Sequence, residues 1–447
     1  MNLSIFEQSP RLREVYTQLC FCYALSNASS QTAIIATLIR GLERLTASFP
    51  WVAGQVINEG ASEGNTGTYT IAPFGVLPQL VIKDLTNDHS APRMHELRAA
   101  NFPFSMLDEK VICPRMTLGG GEGETMADAT PVLLLQANFV DGGLLLCIVA
   151  SHSVMDIVGQ VQMIHLLSKT CQDEAFSDDE VKNGNLDRRN LISIPEDTKQ
   201  DRIPTASNTN TNPPLHPVPD EEQMTQGKLA WAYITFSYPS LVALKALASS
   251  STTAFVSTDD ALSALLWQVI ARSRLARLSP DTESLFNRNV DLRPYFSIPS
   301  SYPGNLSAKT RHSSTLGELA EQSLGAIATQ LRSALDPDPL KQSAYNEART
   351  LAGKKDKSSK KQVDRSKTIV LSSWAKTACY GKGLDFGLGM GEPVAVRRPR
   401  FREVEGVVYF LPRSLEGEIA VGVCLRCDDL ENLMGDEGFG GFGRWVG

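Results

Sequence analysis

The chain is poor in several things at once, and each shortage removes a class of function. No apolar run approaches the roughly 18 residues that a membrane span requires, and the start, Met1-Asn2-Leu3-Ser4-Ile5-Phe6-Glu7, has neither a basic opening nor an apolar signal core. A cytoplasmic protein without a membrane partner is the expectation. Basic residues are in deficit, with 43 Lys and Arg against 50 Asp and Glu and a net charge of -7. Nucleic acid is therefore a poor partner, because phosphate binding depends on clustered cations. The one basic run, Lys354, Lys355, Lys357, Lys360, Lys361, Arg365 and Lys367, is interleaved with Ser and Asp and reads as a solvated loop.

Cysteine and histidine are scarce too. Eight Cys spread over 447 residues, with no secretion signal, do not make a disulfide framework. Cys424-Leu425-Arg426-Cys427 is the only CxxC; lacking a second CxxC and a His pair at ligand spacing, it fails as a zinc site. No metal is expected. Strand periodicity would put its two thiols on opposite faces, and buried thiols are the plain reading.

What is present is ordinary globular protein: 42% hydrophobic and 21% charged residues. The length exceeds one ordinary core, so two domains of roughly 200 residues each are expected. Ile34, Ile35, Leu38, Leu42, Leu45 and Phe49 recur at helical spacing until Pro50. Two apolar runs, Val132 to Phe139 and Leu144 to Ala150, flank Val140-Asp141-Gly142-Gly143 and predict a hairpin, its second strand covered on both faces. The period then changes, and Ile157, Val158, Val161, Ile164 and Leu167 mark a helix.

A stretch from about Ile194 to Gly227 turns to Asp, Thr, Asn and Pro and is the linker candidate. Beyond it a strand over Leu229 to Phe236 and a helix over Leu241 to Leu247 begin a second α/β unit. Ser257-Thr258-Asp259-Asp260 caps a helix carrying Ala261, Leu262, Leu265, Leu266 and Ile270. Strands over Gly406 to Leu411 and Glu418 to Leu425 close it. The domain boundaries are thus 1–195, 196–227 as crossover linker, and 228–447.

Two short motifs carry chemistry. His152-Ser153-Val154-Met155-Asp156 falls at the junction between the covered strand and the helix, where a rigid element would hold an imidazole as general base. Some HxxxD arises by accident in about one such chain in three or four, and His216-Pro217-Val218-Pro219-Asp220 repeats the pattern inside the linker. A packed His152, with Asp156 merely capping the helix, explains the position as well as catalysis does. A buried Asp156 would demand a cation, and Arg293 in Asn289-Val290-Asp291-Leu292-Arg293 could supply it. The second motif, Asp385-Phe386-Gly387-Leu388-Gly389, precedes Met390-Gly391-Glu392-Pro393. Its alternate glycines imply unusual backbone conformations or a close approach. A kinase reading of Asp-Phe-Gly fails, since no HRD-like loop or Gly-rich phosphate loop precedes it.

Taken together, the two motifs and their spacing resemble the BAHD acyltransferases, most closely the fungal branch with the trichothecene O-acetyltransferases. Phe49-Pro50, Ala53-Gly54, the Ser257 to Leu262 cap, Val290 to Arg293, Tyr302-Pro303-Gly304-Asn305, Ser372-Ser373-Trp374 and Val396-Arg397-Arg398-Pro399 follow in the family's order. The resemblance implies an α/β (α+β) architecture of two chloramphenicol acetyltransferase-like domains with a solvent channel between them. It implies a monomer that transfers acetyl from acetyl-CoA, a co-substrate rather than a resident cofactor, to a hydroxyl of a small secondary metabolite, with an amine as the lesser option. By the same resemblance His152 is the catalytic base, Asp156 and Arg293 support the site, and Asp385, Phe386, Gly387, Gly389, Ser372 and Trp374 belong to the CoA-binding or channel loops. Leu388 stands where plant members usually have Trp, and Met390-Gly391 looks like a small insertion. The alternatives are a carrier-protein-dependent condensation-type enzyme and a non-catalytic metabolite-binding homologue.

Overall fold

Two sheets carry the fold, and one apolar cluster draws residues from both. A computed structural model describes residues 1–25, 30–119, 129–189, 191–195, 227–357 and 363–447. The linker over 196–227, except Gly227, and the second HxxxD at His216 lie outside the described residues, as do Lys360 and Lys361.

The first sheet has five strands in the order Ala395–Arg397, Tyr16–Ala24, Gly143–Ser151, Leu133–Val140, Gln79–Asp84. The expected hairpin is its centre: Leu133–Val140 pairs antiparallel with Gly143–Ser151, and every residue of both is buried. Gly142 turns the chain at φ +76°, a conformation that a Cβ disfavours. The second sheet has seven strands in the order Arg444–Trp445, Leu229–Phe236, Ile419–Arg426, Val407–Phe410, Thr368–Ser373, Glu283–Asp291, Ser307–Thr315. A separate ribbon joins Gly54–Glu59 to Thr68–Pro73.

The helix Gln31–Ser48 buries Ile34, Leu38, Leu42 and Leu45 and stops before Pro50, whose missing N–H and fixed φ suit the short 3-10 turn that follows. On the second sheet's outer face lies Thr258–Arg274, capped reciprocally: Ser257 N–H donates to Asp260 at 2.8 Å and Asp260 N–H to Ser257 Oγ at 3.2 Å. Asp260 in turn accepts from Arg288 at 2.8 Å, so the cap carboxylate also ties the helix to the strand beneath it. The helix over Leu241 to Leu247 is longer than its apolar run, Tyr238–Ser250, because Ser237 supplies the cap and Pro239 opens the first turn.

One apolar cluster runs through both halves, from Leu19, Phe21 and Tyr23, with Leu38 and Ile164, to Phe104, Tyr233, Trp374, Val407 and Tyr409. The Phe104 ring stands edge-on to Tyr233 at 5.0 Å. Backbone pairing also crosses the halves: Ala395–Arg397 is an edge strand of the first sheet, pairing with Tyr16–Ala24 through Cys20, Phe21 and Cys22.

Two expectations need correction. Cys424 lies in the strand Ile419–Arg426, but Cys427 begins the helix Cys427–Met434, so strand alternation does not relate the two thiols; Cys424 is buried and Cys427 half-buried. In the basic run, Lys354 and Lys355 are exposed, whereas Arg365 is half-buried. Burial, with Arg11 alongside, pushes its guanidinium down to about 10.

Candidate active site

His152 leaves the end of the central strand Gly143–Ser151 in a tight turn. Its backbone N–H donates to Val15 O at 2.9 Å, extending the sheet ladder by one rung, and its side chain is 5% exposed. Three later segments grip this turn. Asn305 donates from Nδ2 to His152 O at 2.8 Å and from its backbone to Val154 O at 3.1 Å. Arg188 donates to Val154 O at 2.7 Å and to Glu7 at 2.6 Å, a buried ion pair whose carboxylate also receives Asn305 N–H at 3.0 Å. The His152 and Val154 carbonyls are thus each held by a donor from a distant part of the chain.

The third grip is Arg293, which holds the turn through Asp156. Oδ1 caps the helix Ile157–Cys171 by accepting from Gly159 N–H at 2.8 Å. Arg293 meets both oxygens, at 2.9 and 3.0 Å, in a bidentate pair, and Leu306 N–H adds a bond at 2.8 Å. The guanidinium's other protons go to Tyr302 O, Gly304 O and Asp291. Burial disfavours the Arg293 charge, but Asp156 and Asp291 outweigh it and raise its pKa. Helix capping and ion pairing are therefore not rival readings of Asp156; one carboxylate does both. Gly159 is needed beside it, since a Cβ there would fall on the Pro303 carbonyl.

Imidazole orientation follows from the turn. His152 Nδ1 lies 3.3 Å from Met155 O, and a carbonyl can only accept, so the proton sits on Nδ1 and Nε2 presents a lone pair. Burial lowers the His152 pKa, the Met155 carbonyl and Asp156 oppose that shift, and Lys309 lowers it further. The ring is neutral at physiological pH.

A cleft opens at this ring. Its walls come from both halves: Thr17, His152, Ile157 and Val158 on one side, Asn289, Asp291, Ser307, Ser372, Ser373 and Trp374 on the other. Trp374 donates its indole N–H to Ser372 Oγ at 2.9 Å, which leaves the Ser372 hydroxyl proton to be donated elsewhere. Ser373 Oγ donates to Asp259 at 2.7 Å, in the first turn of the capped helix.

The loop Asp385 to Gly389 is elsewhere. Phe386, at φ +53°, is buried edge-on against Phe21 at 6.2 Å and Tyr23 at 6.4 Å. Its N–H donates to Ser168 Oγ at 3.2 Å, and Gly387 N–H returns to Asp385 at 2.9 Å. Gly387 has φ +60° and Gly389 φ +70°. Asp385, Phe386, Gly387 and Gly389 are not among the residues that line the cleft; they fasten the second half of the chain to the helix that follows Asp156.

The structure thus gathers His152, Asp156, Arg293, Ser372 and Trp374 and sets the loop apart. Glu7, Arg188, Asn305, Thr17 and Asn289 join the site without having been assigned a role from sequence. Arg188 gave no signal, since an Asp187-Arg188-Arg189 run looks like surface. Asn305 stood in a recognisable motif, but its bond to His152 O spans 153 residues.

Residues 15–171 match the Trichothecene 3-O-acetyltransferase-like N-terminal domain and residues 122–437 match the Transferase family. Trichothecene 3-O-acetyltransferase TRI101 of Fusarium sporotrichioides is 43% identical over 100% of this chain and 97% of its own length. O-acetyltransferase dmxR13 of Cryptosporiopsis sp. is 42% identical over 100% of this chain and 98% of its own. The crystal structure of F. sporotrichioides TRI101 complexed with coenzyme A and T-2 superposes with a TM-score of 0.91 at 41% identity, covering 100% of this chain and 99% of that one. Among the described residues no helix is long and apolar enough to cross a membrane. With both motifs, the two-sheet architecture and these full-length likenesses in hand, the chain belongs to the Transferase family and is a CoA-dependent O-acetyltransferase.

Proposed function

We propose that the chain moves acetyl from acetyl-CoA to a hydroxyl of a trichothecene or a similarly sized hydroxylated metabolite, with His152 as general base. Nε2 takes the hydroxyl proton as the oxygen attacks the thioester carbonyl. The resulting oxyanion accepts from the Ser372 hydroxyl, polarised by the Trp374 N–H. On collapse the C–S bond breaks, and the same Nε2 proton passes to the departing thiolate. No acyl-enzyme is required. Asp156 and Arg293 brace the turn, and Asp385 to Gly389 support the donor side from outside the cleft. Residues 1–195 and 228–447 act as two domains joined by 196–227, in a cytoplasmic monomer.

The observation that carries this reading is that His152 and the Ser372–Trp374 pair, from opposite halves, line one cleft. The test is incubation with acetyl-, malonyl- and longer acyl-CoAs and a panel of hydroxylated acceptors including deoxynivalenol, followed by thiol release and mass spectrometry. Acetyl-CoA should give an acetylated alcohol. Folded protein that yields no acyl product from any donor would sink the proposal.

A further inference from the structure

Asn289 is out of keeping with the rest of the cleft. It lies near the end of the strand Glu283–Asp291, in register with Lys309 of the neighbouring edge strand, and lines the same cleft as His152. Its carboxamide oxygen and nitrogen are both buried, and neither has a hydrogen-bond partner among the described residues. Leaving such a group unpaired is costly, and replacing it by an apolar side chain of similar shape is usually neutral or stabilising. Stability therefore gives no reason for an amide here. A ligand does.

The chemistry of the missing partner can be read from the group. A carboxamide offers a donor and an acceptor side by side, and the complement that satisfies both is a secondary amide, whose C=O accepts and whose N–H donates. An oxyanion would satisfy only the nitrogen. Position agrees with this choice. Arg288 pairs with Leu371 on the adjacent parallel strand, so Asn289 and Ser372 each lie one residue further along neighbouring strands. Such strands run about 4.8 Å apart. In acyl-CoA, one sulfur and two methylenes separate the thioester carbon from the first amide of the pantetheine arm, a reach that matches the step from Ser372 to Asn289.

We propose that Asn289 is a donor-binding residue that reads the first pantetheine amide of acyl-CoA, its Nδ2 donating to the amide carbonyl and its Oδ1 accepting the amide N–H. This rests on the acyl-CoA reading of the cleft. The carboxamide reaches the ligand by turning about χ2, a broad and soft torsion for amides.

The test separates binding from folding. CoA affinity is measured by titration calorimetry for wild type, Asn289→Leu and Asn289→Asp, alongside thermal melting of each protein without CoA. Asn289→Leu should weaken CoA about 10- to 100-fold while its melting temperature holds or rises, because an unpaired buried amide has been removed. Asn289→Asp loses the donor and should weaken CoA as well. Unchanged CoA affinity in Asn289→Leu overturns the proposal and hands the residue to the acceptor or the oxyanion. A melting temperature that falls together with affinity overturns it in favour of a structural role. Failure of wild type to bind CoA at all would instead refute the acyl-CoA reading itself.

Discussion

The turn His152 to Asp156 and the loop Asp385 to Gly389 are both five residues long and both conspicuous in the sequence, yet they occupy opposite kinds of place. The first is held from outside by Asn305, Arg188 and Arg293 and delivers a neutral imidazole to a cleft. The second is held by its own burial, with Phe386 sunk beside Phe21 and Tyr23, and delivers nothing to the cleft. A motif's visibility in sequence measures how narrowly its residues are specified; it does not say whether chemistry or packing narrows them.

Mutations can pull this contrast apart. The largest effect should come from His152→Ala: kcat/KM falls about a hundred- to ten-thousand-fold with the melting temperature nearly unchanged, and turnover near the wild-type rate would remove His152 from the mechanism. Next is Asp156→Ala, which leaves Arg293 buried beside only a partly exposed Asp291. A loss of about 3–5 kcal/mol of stability is expected, seen as a lowered denaturant midpoint and poor soluble yield. A stable variant that is merely slow would show the two ends of the turn to share one role.

On the other side of the comparison, Gly387→Ala puts a Cβ at φ +60°, 3.0 Å from Cys171 O. It should cost about 1–2 kcal/mol with kcat of the folded fraction preserved. A collapse of kcat at unchanged stability would bring the loop into the chemistry after all. The smallest effect concerns pH. His152 resists protonation because burial and Lys309 both disfavour its charged form. The acid limb of kcat/KM should therefore lie below the ordinary histidine value of 6.5, and Lys309→Met should move it upward, since a like charge is gone. A wild-type limb at or above that value would place the base elsewhere.

Much of this was legible in the sequence where neighbours in the chain are neighbours in space. The hairpin and the helix after Asp156 follow from period and turn residues; the reciprocal cap at Ser257 needs only three residues of context. Arg293 as partner of Asp156 was reachable because a buried carboxylate demands a cation. What escaped were bonds of long sequence separation with no local rule behind them: Arg188 to Glu7 across 181 residues, and Asn305 to His152. Asn289 escaped for a different reason, because an unpaired amide shows itself only once every neighbour has been placed.

The edge strand Ala395–Arg397 has a consequence for how the chain is made. A ribosome releases Tyr16–Ala24 early, yet the backbone groups along Cys20 to Cys22 that this strand pairs must wait until residue 397 has emerged. Until then the growing chain carries an open sheet edge, the kind of surface that invites pairing with another molecule. The first half can gather its hairpin and helices as they emerge, but this stretch of its sheet is covered only once Ala395–Arg397 has followed, so a chain cut before that strand should yield aggregate rather than a half-sized domain.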